Sequence, residues 1–160
     1  MKVITAPEPF PALACRETSV FLAGGITGCP DWQQEVIGLL AGVGTGTLLN
    51  PRRENFPIHD PNAARAQITW EFHALNRADI FSMWFCAGPS DQPICMYELG
   101  RHLTKHAPRH VIIGIEPGYR READVRIQTE LVNVELASRI STTLVSHAYN
   151  IQRAILGTRL

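Results

Sequence analysis

The chain has 160 residues, enough for one domain that buries its own core, so a two-domain enzyme is excluded. Fifteen Lys and Arg balance fifteen Asp and Glu, and a formal net charge of zero argues against a grip on a nucleic-acid backbone. The longest nearly apolar run, residues 36–44, is far short of the roughly 20 residues a membrane span needs, and no signal-peptide pattern opens the chain, so a cytoplasmic protein off the membrane is expected.

Residues 1–17, with Pro7, Pro9 and Pro11, read as an extended lead-in rather than a structural element, ahead of a single domain over residues 18–160. Residues 19–23 are a short apolar run that stops at Gly24-Gly25, the mark of a buried strand. A glycine loop follows, and Asp31 with Gln34 three residues on resembles a capping box for a helix bearing Trp32, Val36, Ile37 and Leu40. Residues 45–49 form a second strand, followed by the Asn50-Pro51-Arg52-Arg53 loop and a helix over 62–77 with Ile68, Phe72 and Leu75 on one face. A third strand covers 79–86. After a Gly-Pro-Ser-Asp loop, residues 94–106 space Ile94, Tyr97, Leu99 and Leu103 as a helix. A fourth strand spans 111–115, a helix 123–131, a weak fifth strand 139–140 and a closing helix 142–156.

Strands alternating with helices imply a parallel sheet covered on both faces, because parallel strands require crossovers. The expected fold is α/β, doubly wound and flavodoxin-like (Rossmann-like), a three-layer sandwich with a five-stranded parallel sheet. In such a fold the ligand crevice lies where the winding direction switches, outside the carboxyl ends of the first and third strands. The loops meeting there are residues 24–31 and 86–95.

Gly24-Gly25-Ile26-Thr27-Gly28 has neither the GxGxxG of a dinucleotide fold nor the GxxxxGK[ST] of a P-loop. It is either a loop that brings a small ligand against backbone amides or a tight turn. Glu98 falls near the start of the helix after strand three, where the helix dipole favours an ionised carboxylate. Such a carboxylate can attack an anomeric carbon through an oxocarbenium-like transition state. Position alone favours a solvated first-turn glutamate that stabilises its helix. Asp79 and Asp91 are candidates for a second carboxylate that protonates a leaving group, against junction capping and turn chemistry. Arg52, with Arg53, could hold a phosphate or carboxylate. Ile26, Trp32, Trp84 and Phe85 are candidate apolar walls, although Trp84 and Phe85 alternate across the sheet and at most one can face the crevice. Cys86 and Cys95 flank the site, but no histidine stands at motif spacing to activate them. The four cysteines form no CxxC pair and only His102 and His106 an HxxxH pair, so neither a disulfide framework nor a metal site is expected.

Several of these pieces together resemble the nucleoside 2-deoxyribosyltransferase-like family over roughly residues 19–155. They are Val20-Phe21-Leu22-Ala23-Gly24-Gly25-Ile26-Thr27-Gly28-Cys29-Pro30-Asp31-Trp32-Gln33, then Leu49-Asn50-Pro51-Arg52-Arg53, Trp70-Glu71, Ala78-Asp79 and Tyr97-Glu98-Leu99-Gly100. The resemblance implies cleavage of the N-glycosidic bond of a nucleoside or nucleotide, with Glu98 attacking the anomeric carbon and a second nucleobase or water releasing the sugar. It implies that Asp79 helps to handle the nucleobase proton and that Gly24, Gly25 and Asp31 line the pocket. No metal or organic cofactor is implied, and a homo-oligomer is. The stretch before the glutamate departs from the family pattern: it reads Ser90-Asp91-Gln92-Pro93-Ile94-Cys95, with Asp91 one position early for a sugar-holding acid. A non-catalytic nucleotide sensor on the same fold is the other class this leaves.

Overall fold

The computed structural model describes residues 1–10 and 17–158. Five strands, β1 (Lys2–Thr5), β2 (Ser19–Gly24), β3 (Thr47–Asn50), β4 (Ile80–Phe85) and β5 (Val111–Ile115), form one sheet in the order β1-β3-β2-β4-β5, and every pairing is parallel. The helices are α1 (Trp32–Leu39), α2 (Ala63–Arg77), α3 (Pro93–Leu103), α4 (Glu122–Val132), α5 (Val134–Ser138) and α6 (Leu144–Gly157).

Because side chains alternate across a strand, the sheet has two apolar faces. Phe21, Leu49, Phe81, Met83, Phe85 and Ile113 bury one face under Trp70, Ala74 and Leu75 of α2, Leu99 of α3 and Val125 of α4. Val20, Leu22, Leu48, Ile80, Trp84 and Ile112 bury the other under Trp32 and Val36 of α1 and Ile151 and Ile155 of α6. The fold is the expected three-layer, doubly wound α/β sandwich. The chain runs from β2 outward to β3 and then crosses back to β4 on the other side of β2, so the switch point lies between β2 and β4.

The fifth strand is not where the sequence reading puts it. Lys2–Thr5 lies inside the expected lead-in yet pairs with β3, because the prolines begin only at Pro7 and leave the earlier N–H groups free: Lys2 donates to the Gly46 carbonyl and Ala6 to that of Asn50. Residues 11–16 of that lead-in, Cys15 among them, lie outside the described residues. Residues 139–140 form no strand; Ser141 makes an isolated bridge to Gly114 beside β5. Among the described residues, no helix is long and apolar enough to cross a membrane.

Candidate active site

A cleft of about 270 Å³ opens at the carboxyl ends of β2 and β4. Gly24, Gly25, Ile26 and Thr27 form one wall, Ser90 and residues 92–95 another, and Phe21, Ala23 and Pro51 the floor and side. Two carboxylates enter it, Glu98 from α3 and Glu71 from α2. A smaller concavity of about 140 Å³, at the amino end of β5, has arginines but no carboxylate in its lining.

Glu98 is the sixth residue of α3, a turn and a half in, where the N-terminal dipole has weakened. Burial first, and the negative charge of Glu71 second, push its carboxyl up to about 7 against the opposing charge of Arg101. The expected dipole-stabilised anion is therefore overridden by desolvation and a like charge. Burial likewise raises the Glu71 carboxyl, with the Gln67 hydrogen bond opposing. The Gln67 Nε2 donates to Glu71 Oε1 at 2.8 Å and to the Pro51 carbonyl at 2.7 Å, tying Glu71 to the loop after β3. Burial raises both carboxyls, and the charge of Glu71 adds to the rise at Glu98.

The glycine wall is built by close approach. A Cβ on Gly24, whose φ is +153°, would stand 2.3 Å from the Trp84 carbonyl and 2.6 Å from the Trp32 ring. A Cβ on Gly25 would stand 2.4 Å from Gln92 Oε1. Trp32, 1 % exposed, is a wedge beneath this wall rather than a surface of the cleft, and its Nε1 donates to the Gly25 carbonyl at 2.9 Å. Trp84 and Phe85 are also core, on opposite faces of the sheet. Of the four candidate walls only Ile26 lines the cleft.

The other candidates separate by place. Asp31 caps α1, accepting the Gln34 N–H at 3.0 Å, and stands 3.7 Å from Arg52. Arg52 spends its guanidinium on the outer side of the glycine loop, donating to the carbonyls of Pro30 at 2.7 Å and Cys29 at 3.0 Å and to Gln33 Oε1 at 3.3 Å. It is a strut for that loop, not an anion clamp in the cleft. Asp91 turns outward to Arg120 at 3.2 Å, while its neighbours Ser90 and Gln92 line the cleft. Asp79 is at the wrong end of the sheet: it precedes β4, and six strand residues, about 20 Å of backbone, separate it from the cleft. A carboxylate that opens a parallel strand lies opposite the ligand end by construction. Its place beside Glu98 is taken by Glu71.

Glu71 carried only one sequence signal, the Trp70-Glu71 step, because Ile68 and Phe72 drew the apolar face of α2 to the wrong side. Those two are 65 % and 47 % exposed, whereas Ala63, Trp70, Ala74 and Leu75 are buried. Gln92 was missed as well, although the residue before a proline is biased out of the helical region. It is left-handed at φ +50°, which costs a non-glycine residue about 1 kcal/mol. Cys95 lines the cleft, but burial and the charge of Glu98 push its thiol up to about 12, and Cys86 is raised further, so neither is poised as a nucleophile. Among the described residues, no group of three His, Cys, Asp or Glu side chains could hold a metal ion.

A search of curated proteins finds no match to the chain. A protein family does match, over residues 17–119, more than half the chain and including both carboxylates of the cleft; it is described as nucleoside 2-deoxyribosyltransferase like. The glycine wall after β2, the acid pair and four of the five strands of the parallel sheet fall within that stretch, and the chain belongs to the nucleoside 2-deoxyribosyltransferase-like family.

Proposed function

We propose that the protein cleaves the N-glycosidic bond of a nucleoside and passes the sugar to another nucleobase, with Glu98 as nucleophile. The observation that carries this reading is the pair of carboxyls in one cleft at the switch point, one of them held near pH 7. A Glu98 carboxylate oxygen attacks the anomeric carbon, the bond from that carbon to the base nitrogen breaks with its electron pair on the base, and the protonated Glu71 donates the proton that the leaving base needs. The product is a sugar ester on Glu98. An incoming base attacks the same carbon, displaces the Glu98 carboxylate and returns a proton to Glu71, so configuration is retained over two inversions.

Transfer requires the ester to outlast water. Phe21, Ala23, Ile26, Pro51, Pro93 and Ile94 give the cleft apolar walls that favour a stacked base over solvent. Exposed apolar side chains on the two helices that carry the acids, Ile68 of α2 with Ile94 and Tyr97 of α3, support closure by a second copy of the chain, and a homo-oligomer is part of this reading. The free thiols of Cys29, Cys86 and Cys95 suit a reducing cytoplasm.

A nucleoside fits better than its monophosphate. No Lys or Arg is among the described residues lining the cleft, and the nearby guanidiniums are engaged elsewhere: Arg52 on the glycine loop, Arg120 on the Pro89 carbonyl and Asp91. A phosphate dianion would add charge to a site that already holds two acids.

The test is incubation with a panel of nucleosides and monophosphates, each with and without a different free base in excess, followed by chromatography. A new nucleoside supports transfer. Free sugar formed at an unchanged rate makes the protein a hydrolase, and tight binding with no cleavage makes it a sensor.

A further inference from the structure

If Glu98 is the nucleophile, as the preceding reading has it, something must aim it. Burial and the charges of Glu71 and Arg101 act on its carboxylate, but among the described residues no hydrogen bond holds it. Its direction is therefore set by where α3 begins.

That beginning is tied down by Gln92. The residue is 6 % exposed and left-handed, a conformation that a plain turn would give to glycine. Its side chain folds back on the end of β4, where Oε1 accepts the Cys86 N–H at 3.3 Å and Nε2 donates to the Cys86 carbonyl at 2.7 Å. Its backbone faces the other way: the N–H donates to Ser90 Oγ at 3.1 Å, and the carbonyl accepts the Met96 N–H at 3.2 Å. The carboxamide also closes against Gly25, leaving no room for a Cβ there. One side chain thus joins the end of β4, the glycine wall and the first turn of α3. Only a primary amide of this length offers both the donor and the acceptor that the two Cys86 backbone groups need.

We propose that Gln92 is a positioning residue, whose two-point pairing with the Cys86 backbone fixes the start of α3 and so the direction in which Glu98 enters the cleft. It touches no reacting atom. Pro93 supplies no N–H and so adds nothing to this anchorage.

The experiment compares the full-length wild type with Gln92→Gly, which keeps the left-handed turn without its strain and removes the pairing. Gln92→Glu, nearly isosteric, can still accept from the Cys86 N–H but has no donor for its carbonyl, and it serves if the glycine variant does not fold. Three quantities are read: the titration midpoint of Glu98 by carboxyl-carbon NMR, the rate at which a small thiol reagent labels Cys95 in the first turn of α3, and kcat and KM on whichever nucleosides the wild type cleaves. In a folded variant, labelling should quicken about tenfold, the Glu98 midpoint should fall toward that of an ordinary glutamate as water reaches it, and kcat should drop about tenfold or more with KM changing less than about threefold. An unchanged midpoint with unchanged labelling, or an unchanged kcat in an active enzyme, overturns the proposal. If the wild type cleaves nothing in the panel, the catalytic reading fails separately, and the midpoint and labelling rate still decide whether Gln92 places Glu98.

Discussion

The Asp79 carboxylate accepts both the backbone N–H and the hydroxyl of Ser19, at 2.8 and 2.7 Å, and so binds the entry of β4 to the entry of β2. Both hydrogen bonds are to one charged oxygen, the arrangement that contributes most per bond. Asp79→Asn should cost about 1–3 kcal/mol of stability and leave turnover within about twofold of wild type. Thermal unfolding and steady-state kinetics check this together. A loss confined to substrates with basic leaving groups would return Asp79 to the chemistry.

Glu98→Gln should abolish turnover, by about a thousandfold or more, which is about 4 kcal/mol of barrier. The same change should stabilise the fold. A carboxyl raised from 4.5 to about 7 keeps its proton in the folded state while the unfolded chain releases it, so its contribution to stability is present below pH 4.5 and lost as pH rises through 7. Denaturant unfolding at pH 8 should therefore show the glutamine variant more stable by on the order of 1–2 kcal/mol, with the difference vanishing near pH 4.

Wild-type kcat/KM should be bell-shaped, with a rising limb near pH 7 as Glu98 ionises and a falling limb as Glu71 loses the proton it donates. Glu71→Gln removes the like charge that helps to hold the Glu98 midpoint up, so the rising limb should move to lower pH. It also removes the acid, so kcat should fall by about a hundredfold or more on nucleosides with basic leaving groups and less on good ones. A pH profile that stays in place would mean that the two carboxyls do not interact.

His147 is fully buried between Ser82, at 2.8 Å from Nε2, and Ser141, at 3.0 Å from Nδ1, with the rings of Trp32 and Trp84 beside it. Burial pushes it down to about 3, so the folded state holds it neutral while the unfolded chain protonates below 6.5. The stability it contributes is present above pH 6.5 and lost as pH falls toward 3. Urea unfolding from pH 7 to pH 4.5 should show this loss in wild type and a shallower one in His147→Gln. His102, lowered to about 4 mainly by burial, keeps its own share of the slope in both proteins.

The alternation of apolar runs with amphipathic stretches carried the layers, the switch point and the position of Glu98, because each depends on periodicity and on strand ends that glycines and prolines mark. What failed depended on information that periodicity does not hold. Three prolines masked a four-residue edge strand whose Ile4 is 2 % exposed. On α2 the sheet takes Ala74 and Trp70 rather than the larger Ile68 and Phe72, so the face, and with it Glu71, was misread. Tyr97, spaced along α3 with the buried Leu99 and Leu103, is 68 % exposed. Arg52 has the composition of an anion clamp, and only the three-dimensional path of the glycine loop turns it into a strut.

The matched stretch ends at residue 119, whereas α6 begins at Leu144 and supplies Ala148, Ile151, Ile155 and His147 to the layer over Trp84 and Ile112. A fragment cut to the homologous span would carry both cleft carboxylates on a sheet with one face covered by α1 alone, Ser82 without its imidazole partner, and β3 newly exposed as an edge by the loss of β1. The matched stretch holds both acids, but the layer that closes over Trp84 and Ile112 is completed from beyond it.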